Sequence, residues 1–132
     1  MIRRLNHVGI VTQNLKEAME VYSSLFGLET AKVVEVPEQG VKVALIPVGD
    51  IELEIMEPTD PDSGVAKFLE KRGEGLHHIS FEVNNLDEEL NSLASKGAKL
   101  IDKKGRRGVV ASKIAFLHPH AAKGVLIELA QI

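Results

Sequence analysis

The chain has 132 residues, 44% of them hydrophobic and 27% charged, a length that suffices for one domain with its own buried core. A formal net charge of −3 argues against a general nucleic-acid binder, whose surface would be basic. The absence of cysteine excludes disulfides and thiolate metal sites, so any bound ion must take imidazole and oxygen ligands. No apolar run approaches the roughly 20 residues that span a bilayer, and the N-terminus lacks a signal-peptide stretch, which predicts a soluble, cytoplasmic protein with no membrane partner.

Residues 3–11 alternate as a strand, with His7 and Gly9 on one face and Val8 and Ile10 on the other. Asn14 is placed to cap a helix, with Glu17 as its capping-box partner, and the helix is predicted to bury Leu15, Met19, Tyr22 and Leu25 or Phe26 before Gly27 ends it. Strands are predicted over 30–36, 41–47 and 51–56, broken by Pro37-Glu38-Gln39-Gly40 and Gly49-Asp50. The first module is thus βαβββ, over about 1–58. A linker of about 59–74, with a short amphipathic helix near 65–71, leads to a second module over about 75–132. There a strand at 76–83 and a helix at 86–96 capped by Gly97 precede strands near 98–102, 112–117 and 125–129.

The second module repeats the first. Leu5-Asn6-His7-Val8-Gly9-Ile10 returns as Leu76-His77-His78-Ile79-Ser80-Phe81, and Asn14-Leu15-x-Glu17 returns as Asn85-Leu86-x-Glu88. Each half ends in an apolar strand that carries a carboxylate, Ile51-Glu52-Leu53-Glu54-Ile55 and Val125-Leu126-Ile127-Glu128-Leu129. Two modules related by a pseudo-twofold axis would form a single domain whose two histidines and two glutamates surround one point, the inventory of a divalent metal site. On the strand at 76–83, His78, Ser80 and Glu82 share one face, directed into the concavity of a curled sheet, while Ile79, Phe81 and Val83 face the helix. Glu128 in an apolar run needs a partner, and a cation would serve. Glu52 and Glu54 share a face; the repeat alignment selects Glu54. His77, His118 and His120 fall at strand ends and turns, and Glu82 at a rim. Lys103, Lys104, Arg106 and Arg107 around Gly105 read either as a phosphate grip or as a solvated loop.

These modules, with His7, Glu54, His78 and Glu128, resemble the vicinal oxygen chelate superfamily, and within it the methylmalonyl-CoA epimerase family. The resemblance covers essentially the whole chain. It rests on Asn6-His7-Val8-Gly9-Ile10, Pro37-Glu38-Gln39-Gly40-Val41, Ser63-Gly64-Val65-Ala66-Lys67-Phe68-Leu69, Gly75-Leu76-His77-His78-Ile79, Phe116-Leu117-His118-Pro119 and Lys123-Gly124-Val125-Leu126-Ile127-Glu128-Leu129. It implies an α+β fold in which two βαβββ modules form one curled, partly open mixed sheet with helices outside. It further implies one divalent ion, cobalt with zinc, nickel and manganese also compatible, held by His7, His78, Glu128 and Glu54. The activity implied is interconversion of (2R)- and (2S)-methylmalonyl-CoA through a metal-stabilised enolate by a homodimer, with Glu128 as one acid–base group and Glu54 as the second.

Two departures from the family bear on that reading. Some epimerases have glutamine in place of Glu54, and some carry a glutamate, proposed as a catalytic base, where this chain has Val43. The His-Glu-His-Glu set also suits bacterial glyoxalase I, which moves a proton within a glutathione adduct. A non-catalytic binding protein of the same fold is a third possibility, against which the retained ligand set counts. An extradiol dioxygenase is disfavoured, because a fourth protein ligand would crowd out substrate and oxygen.

Overall fold

The computed structural model describes residues Met1–Ile132. Its elements are β1 (Ile2–Val11), α1 (Leu15–Phe26), β2 (Lys32–Val36), β3 (Val41–Val48), β4 (Ile51–Pro58), α2 (Gly64–Arg72), β5 (Gly75–Val83), α3 (Leu86–Ser95), β6 (Lys113–Leu117) and β7 (Ile127–Gln131). The strands are hydrogen-bonded in the order β2-β3-β4-β1-β5-β7-β6. The sheet is mixed, because β1·β4 and β5·β7 are parallel and β2·β3, β3·β4 and β6·β7 antiparallel; with three helices this is the α+β fold expected from the sequence. No helix is long and apolar enough to cross a membrane. The chain divides into two compact units, His7–His77 and Met1–Asn6 with His78–Ile132, so β1 gives its first half to one and its second half to the other.

In the unit His7–His77, Asn14 begins α1 as its sequence dictates: the side chain accepts from Glu17 N at 3.0 Å. The reciprocal bond of a capping box is not made. Asn14 N donates to Thr12 Oγ1 at 3.3 Å, and Leu15 N donates to the Glu57 carboxylate at 2.9 Å, so orphan donors are satisfied from β4 and the β1 end rather than by Glu17. Leu15, Ala18, Met19 and Tyr22 pack on Ala44, Ile46 and Ile55. Leu25 and Phe26, one of which was expected to join them, are exposed. Gly27, at φ 67°, turns the chain back so that Leu28 N donates to Tyr22 O at 3.1 Å, and Leu28 completes the apolar face instead.

The other face of this unit is set by strand register. His7 pairs with Glu52 and Gly9 with Glu54, while Leu45 lies opposite Glu54 and Val43 opposite Met56. His7, Glu54, Val43 and Leu45 therefore look away from α1. Gly40, at φ 66°, closes the turn into β3, and a Cβ there would meet the Asp60 Cβ at 2.8 Å and the Ser63 Cβ at 2.9 Å. Ser63 is the N-cap of α2, accepting from Ala66 N at 3.1 Å. Beyond α2, Glu74 is tied back to the end of β1, accepting from Thr12 Oγ1 at 2.8 Å and Gln13 N at 3.0 Å. The Gln13 amide, then the Thr12 hydroxyl, hold its carboxyl below the ordinary carboxylate value.

In the unit Met1–Asn6 with His78–Ile132, Asn85 caps α3 by accepting from Glu88 N at 3.1 Å. Leu86 and Leu90 pack with Val83, Ala115, Leu117, Ile127 and Leu129, joined by Ile79 and Phe81 from the helix-facing side of β5. The strand predicted near 98–102 does not form. Ile101 N and Asp102 N both donate to Phe116 O, at 3.0 and 3.1 Å, two residues against one as in a β-bulge, and only Leu100 makes a bridge, to Leu117. The Asp102 carboxylate then takes Phe116 N at 2.9 Å, filling the ladder position a backbone carbonyl would occupy. The second module is accordingly β-α-β-β. The basic loop is knitted to β6: Arg106 and Ile114 exchange backbone hydrogen bonds of 2.8 and 2.7 Å, and a Cβ on Gly105 would meet Leu86 at 2.8 Å.

Gly40→Ala is expected to destabilise by about 2 kcal/mol or more in urea unfolding, since overpacking adds to the left-handed backbone penalty, whereas Gly27→Ala, at a similar φ in open space, is expected to cost about 1 kcal/mol. Equal losses would show that the Asp60–Ser63 contact is not tight. Because the folded-state pKa of Glu74 is depressed, its stabilisation is present above the ordinary value of 4.5 and lost as pH falls through the lowered one. Glu74→Gln should therefore lower the urea midpoint at pH 7, and the gap should close in acid; a gap independent of pH would refute the linkage.

Candidate metal centre

Each unit contributes one buried histidine–glutamate pair on the sheet face turned away from its long helix. In the unit His7–His77, His7 Nδ1 lies 3.2 Å from Glu54 Oε2, and both side chains are almost wholly buried. The pair exists because the parallel register sets Gly9 against Glu54: with no side chain at Gly9, the space above that strand position belongs to the neighbouring carboxylate. Glu52, two pairs earlier and opposite His7, is only half-buried. Val43 is fully buried on the same face, so β3 offers an apolar wall and no carboxylate there.

In the other unit, His78 Nε2 lies 3.8 Å from Glu128 Oε1, again with both side chains buried. Register explains the meeting. Ser80 pairs with Glu128, and Glu128 pairs with Phe116, so His78, Ser80, Glu128 and Phe116 occupy one face. The Phe116 ring stands edge-on to His78, centroids 5.4 Å apart at 87°, which fixes the imidazole plane. Ser80 is completely buried and its Oγ has no hydrogen-bond partner, an unsatisfied hydroxyl of the kind that costs about 1–3 kcal/mol unless a ligand or water meets it.

His7 in one unit, and His78 and Glu128 in the other, are the residues that could hold a metal ion. The donors suit a divalent ion: two imidazole nitrogens and one carboxylate oxygen, the last flanked by buried Ile127, Leu129 and Ala130, where an ionised group is costly without a cation. Glu54 lies outside this group of three and reaches it through its contact with His7.

The remaining histidines take structural places. His77 packs edge-on to Phe68 at 4.8 Å. His118 caps the turn after β6, its Nδ1 accepting from His120 N at 3.1 Å; loss of solvent, then the charges of Lys99 and His120, push its pKa down. Glu82 is half-buried and faces Arg4 at 3.7 Å. Within the basic loop, the exposed Arg106 places its guanidinium 5.4 Å from the Phe116 centroid. Sequence reasoning missed Phe116 and Arg106 as neighbours of the histidine. The alternation of β6 carried a signal for Phe116; nothing local carried one for Arg106, which arrives by a bridge to Ile114.

The model of the Glyoxalase/Bleomycin resistance protein/Dioxygenase superfamily matches residues 6–116, and the chain belongs to that superfamily. It is 42% identical over 130 residues to the uncharacterized protein YqjC of Bacillus subtilis, covering 98% of this chain and 93% of that one. With the ethylmalonyl-CoA/methylmalonyl-CoA epimerase of Cereibacter sphaeroides it shares 34% identity over the full length of both. A solved methylmalonyl-CoA epimerase in complex with methylmalonyl-CoA and NH4+ superposes with a TM-score of 0.93 at 36% identity, over 99% of this chain and 95% of that one.

Proposed function

We propose that the protein is a methylmalonyl-CoA epimerase, an isomerase that inverts the carbon between a thioester and a carboxylate in an acyl-CoA substrate. The observation that carries this is the buried histidine and glutamate group, set in a chain that matches named epimerases from end to end. Those full-length likenesses favour epimerase over glyoxalase I, which the ligand set alone did not separate. His7, His78 and Glu128 would hold one divalent ion, with Glu54 as the fourth ligand, and cobalt is the ion we assign. We also take the protein to act as a cytoplasmic homodimer.

Bound there, a divalent ion would supply Lewis-acid stabilisation of the negative charge that develops on the thioester oxygen. The rest belongs to side chains. Inversion removes a proton from one side of the carbon and returns one to the other, so two acid–base groups are needed. Glu128 is one, reaching the site from β7, and Glu54, from β4, is the second. Val43 cannot act as a base, which leaves Glu54 as the carboxylate of its unit that lies buried beside a histidine. The apolar walls around both carboxylates exclude water, which strengthens the electrostatics of proton transfer.

Addition of Co2+ to metal-free protein should raise its thermal midpoint, with about 2.7 kcal/mol gained at a hundred times Kd; His78→Ala should fold yet show no such rise. A His78→Ala variant stabilised like the parent would remove His78 from the ligand set. Turnover of (2S)-methylmalonyl-CoA in heavy water should place deuterium at C2, and Glu128→Gln should suppress that wash-in by about a hundredfold or more, since an amide cannot accept the proton. Glu54→Gln is expected to retain metal through its amide oxygen but to lose turnover, because it removes the second acid–base group; full activity of that variant would take Glu54 out of the role. Turnover without deuterium incorporation would end the proton-transfer mechanism, and turnover of the glutathione–methylglyoxal adduct alone would put glyoxalase I in its place.

A further inference from the structure

Within the unit Met1–Asn6 with His78–Ile132, the exposed side chain of Arg106 lies against the face that carries His78. Phe116 lies opposite Glu128 in the β6·β7 ladder, and its ring stands against His78 with centroids 5.4 Å apart. The Arg106 guanidinium carbon lies 5.4 Å from the same ring centroid, so it is no farther from the imidazole than those two steps laid end to end. Its backbone is held on both sides by the Ile114 bridge, at 2.8 and 2.7 Å, and its Nε faces the Asp102 carboxylate at 3.4 Å. Stacking on the ring and pairing through Nε orient the plane and leave the two terminal nitrogens uncommitted. That fork is the geometry that grips a carboxylate through two parallel hydrogen bonds.

We propose that Arg106 binds the free carboxylate of the substrate and so sets a preference for 2-substituted malonyl thioesters over plain acyl thioesters. This rests on the epimerase function proposed above. The distance decides between the two anions such a substrate carries. The malonyl carboxylate is two bonds from the reacting carbon, whereas the whole pantetheine arm separates that carbon from the phosphates, so the carboxylate is the anion that stays beside the residues around His78, whose ring partner Phe116 also carries Arg106. Lysine would keep the charge but lose the two-pronged fit.

The test is equilibrium binding to Co2+-loaded protein, measured calorimetrically for methylmalonyl-CoA, for propionyl-CoA, which lacks the carboxylate, and for methylmalonyl-pantetheine, which lacks the phosphates. Arg106→Met should weaken both methylmalonyl thioesters by about 10- to 100-fold and propionyl-CoA by no more than about twofold, with Arg106→Lys between parent and Met. If Arg106 instead holds the phosphates, the two CoA thioesters will weaken together and the pantetheine thioester will not, and the proposal falls. It falls equally if no thioester weakens, or if all three weaken alike. Should Arg106→Met fail to fold, Arg106→Lys carries the same comparison with a smaller expected loss confined to the two carboxylate-bearing ligands. Because binding is read without turnover, parent protein that binds these thioesters but incorporates no deuterium would overturn the epimerase function while leaving the role of Arg106 standing.

Discussion

Two ionisable carboxylates, Glu54 and Glu128, lie buried between apolar neighbours on their strands, and this constraint governs the rest of the molecule. A carboxylate almost wholly removed from water must be compensated by a charge or by strong donors, or it will be protonated or expelled. The fold answers in the same way twice. A histidine two residues before the carboxylate's partner on the neighbouring strand is brought against it by a parallel register, His7 against Glu54 and His78 against Glu128. Parallel pairing matters because it fixes which strand positions share a face. A slip of one residue would send the histidine into the helix-packed core and leave the carboxylate stranded.

The helices hold that register from behind. Leu15 and Met19 in one unit, and Leu86 and Leu90 in the other, press the apolar side of each strand set, so the polar side is defined by exclusion. Asparagine caps start both helices at the point where the chain leaves its first strand, which fixes how far along the sheet each helix begins. The site is thus specified by ordinary alternation on the strands, made rigid by packing on the face it does not use.

What was legible in the sequence follows from how far each signal reaches. Asn14 and Asn85 as caps, Gly27 as a helix end, and the alternation that puts His7 with Glu54 and His78 with Glu128 on the strand faces turned away from the helices are decided within a few residues, and these placements emerge as read. Leu25 and Phe26 were misplaced because an apolar residue at helical spacing carries no mark of where the helix runs past the sheet; the reversal at Gly27 hands their place to Leu28. The strand near 98–102 failed for a longer-range reason. Its hydrophobic pattern is strand-like, but Asp102 competes for the amide of Phe116, and that competition exists only once β6 is beside it. The placement of Arg106 depends on the same distant pairing: the loop stays exposed, as one of its two readings had it, but this one side chain stacks on Phe116.

The bulge that ends pairing at Asp102 also decides how the sheet meets the outside. β6 is the last strand on its side, and a terminal strand normally presents a row of free amides and carbonyls to which another chain can add. Here the amide of Phe116 is taken by a side chain, its carbonyl is shared by two donors, and Ile114 is occupied by Arg106, so little regular backbone remains for an incoming strand. At the opposite end β2 is only five residues long and carries Lys32 and Glu35, which discourage stacking of like copies. The irregularity that cost the second module a strand leaves a molecule with no long flat edge, a protection against cross-strand aggregation.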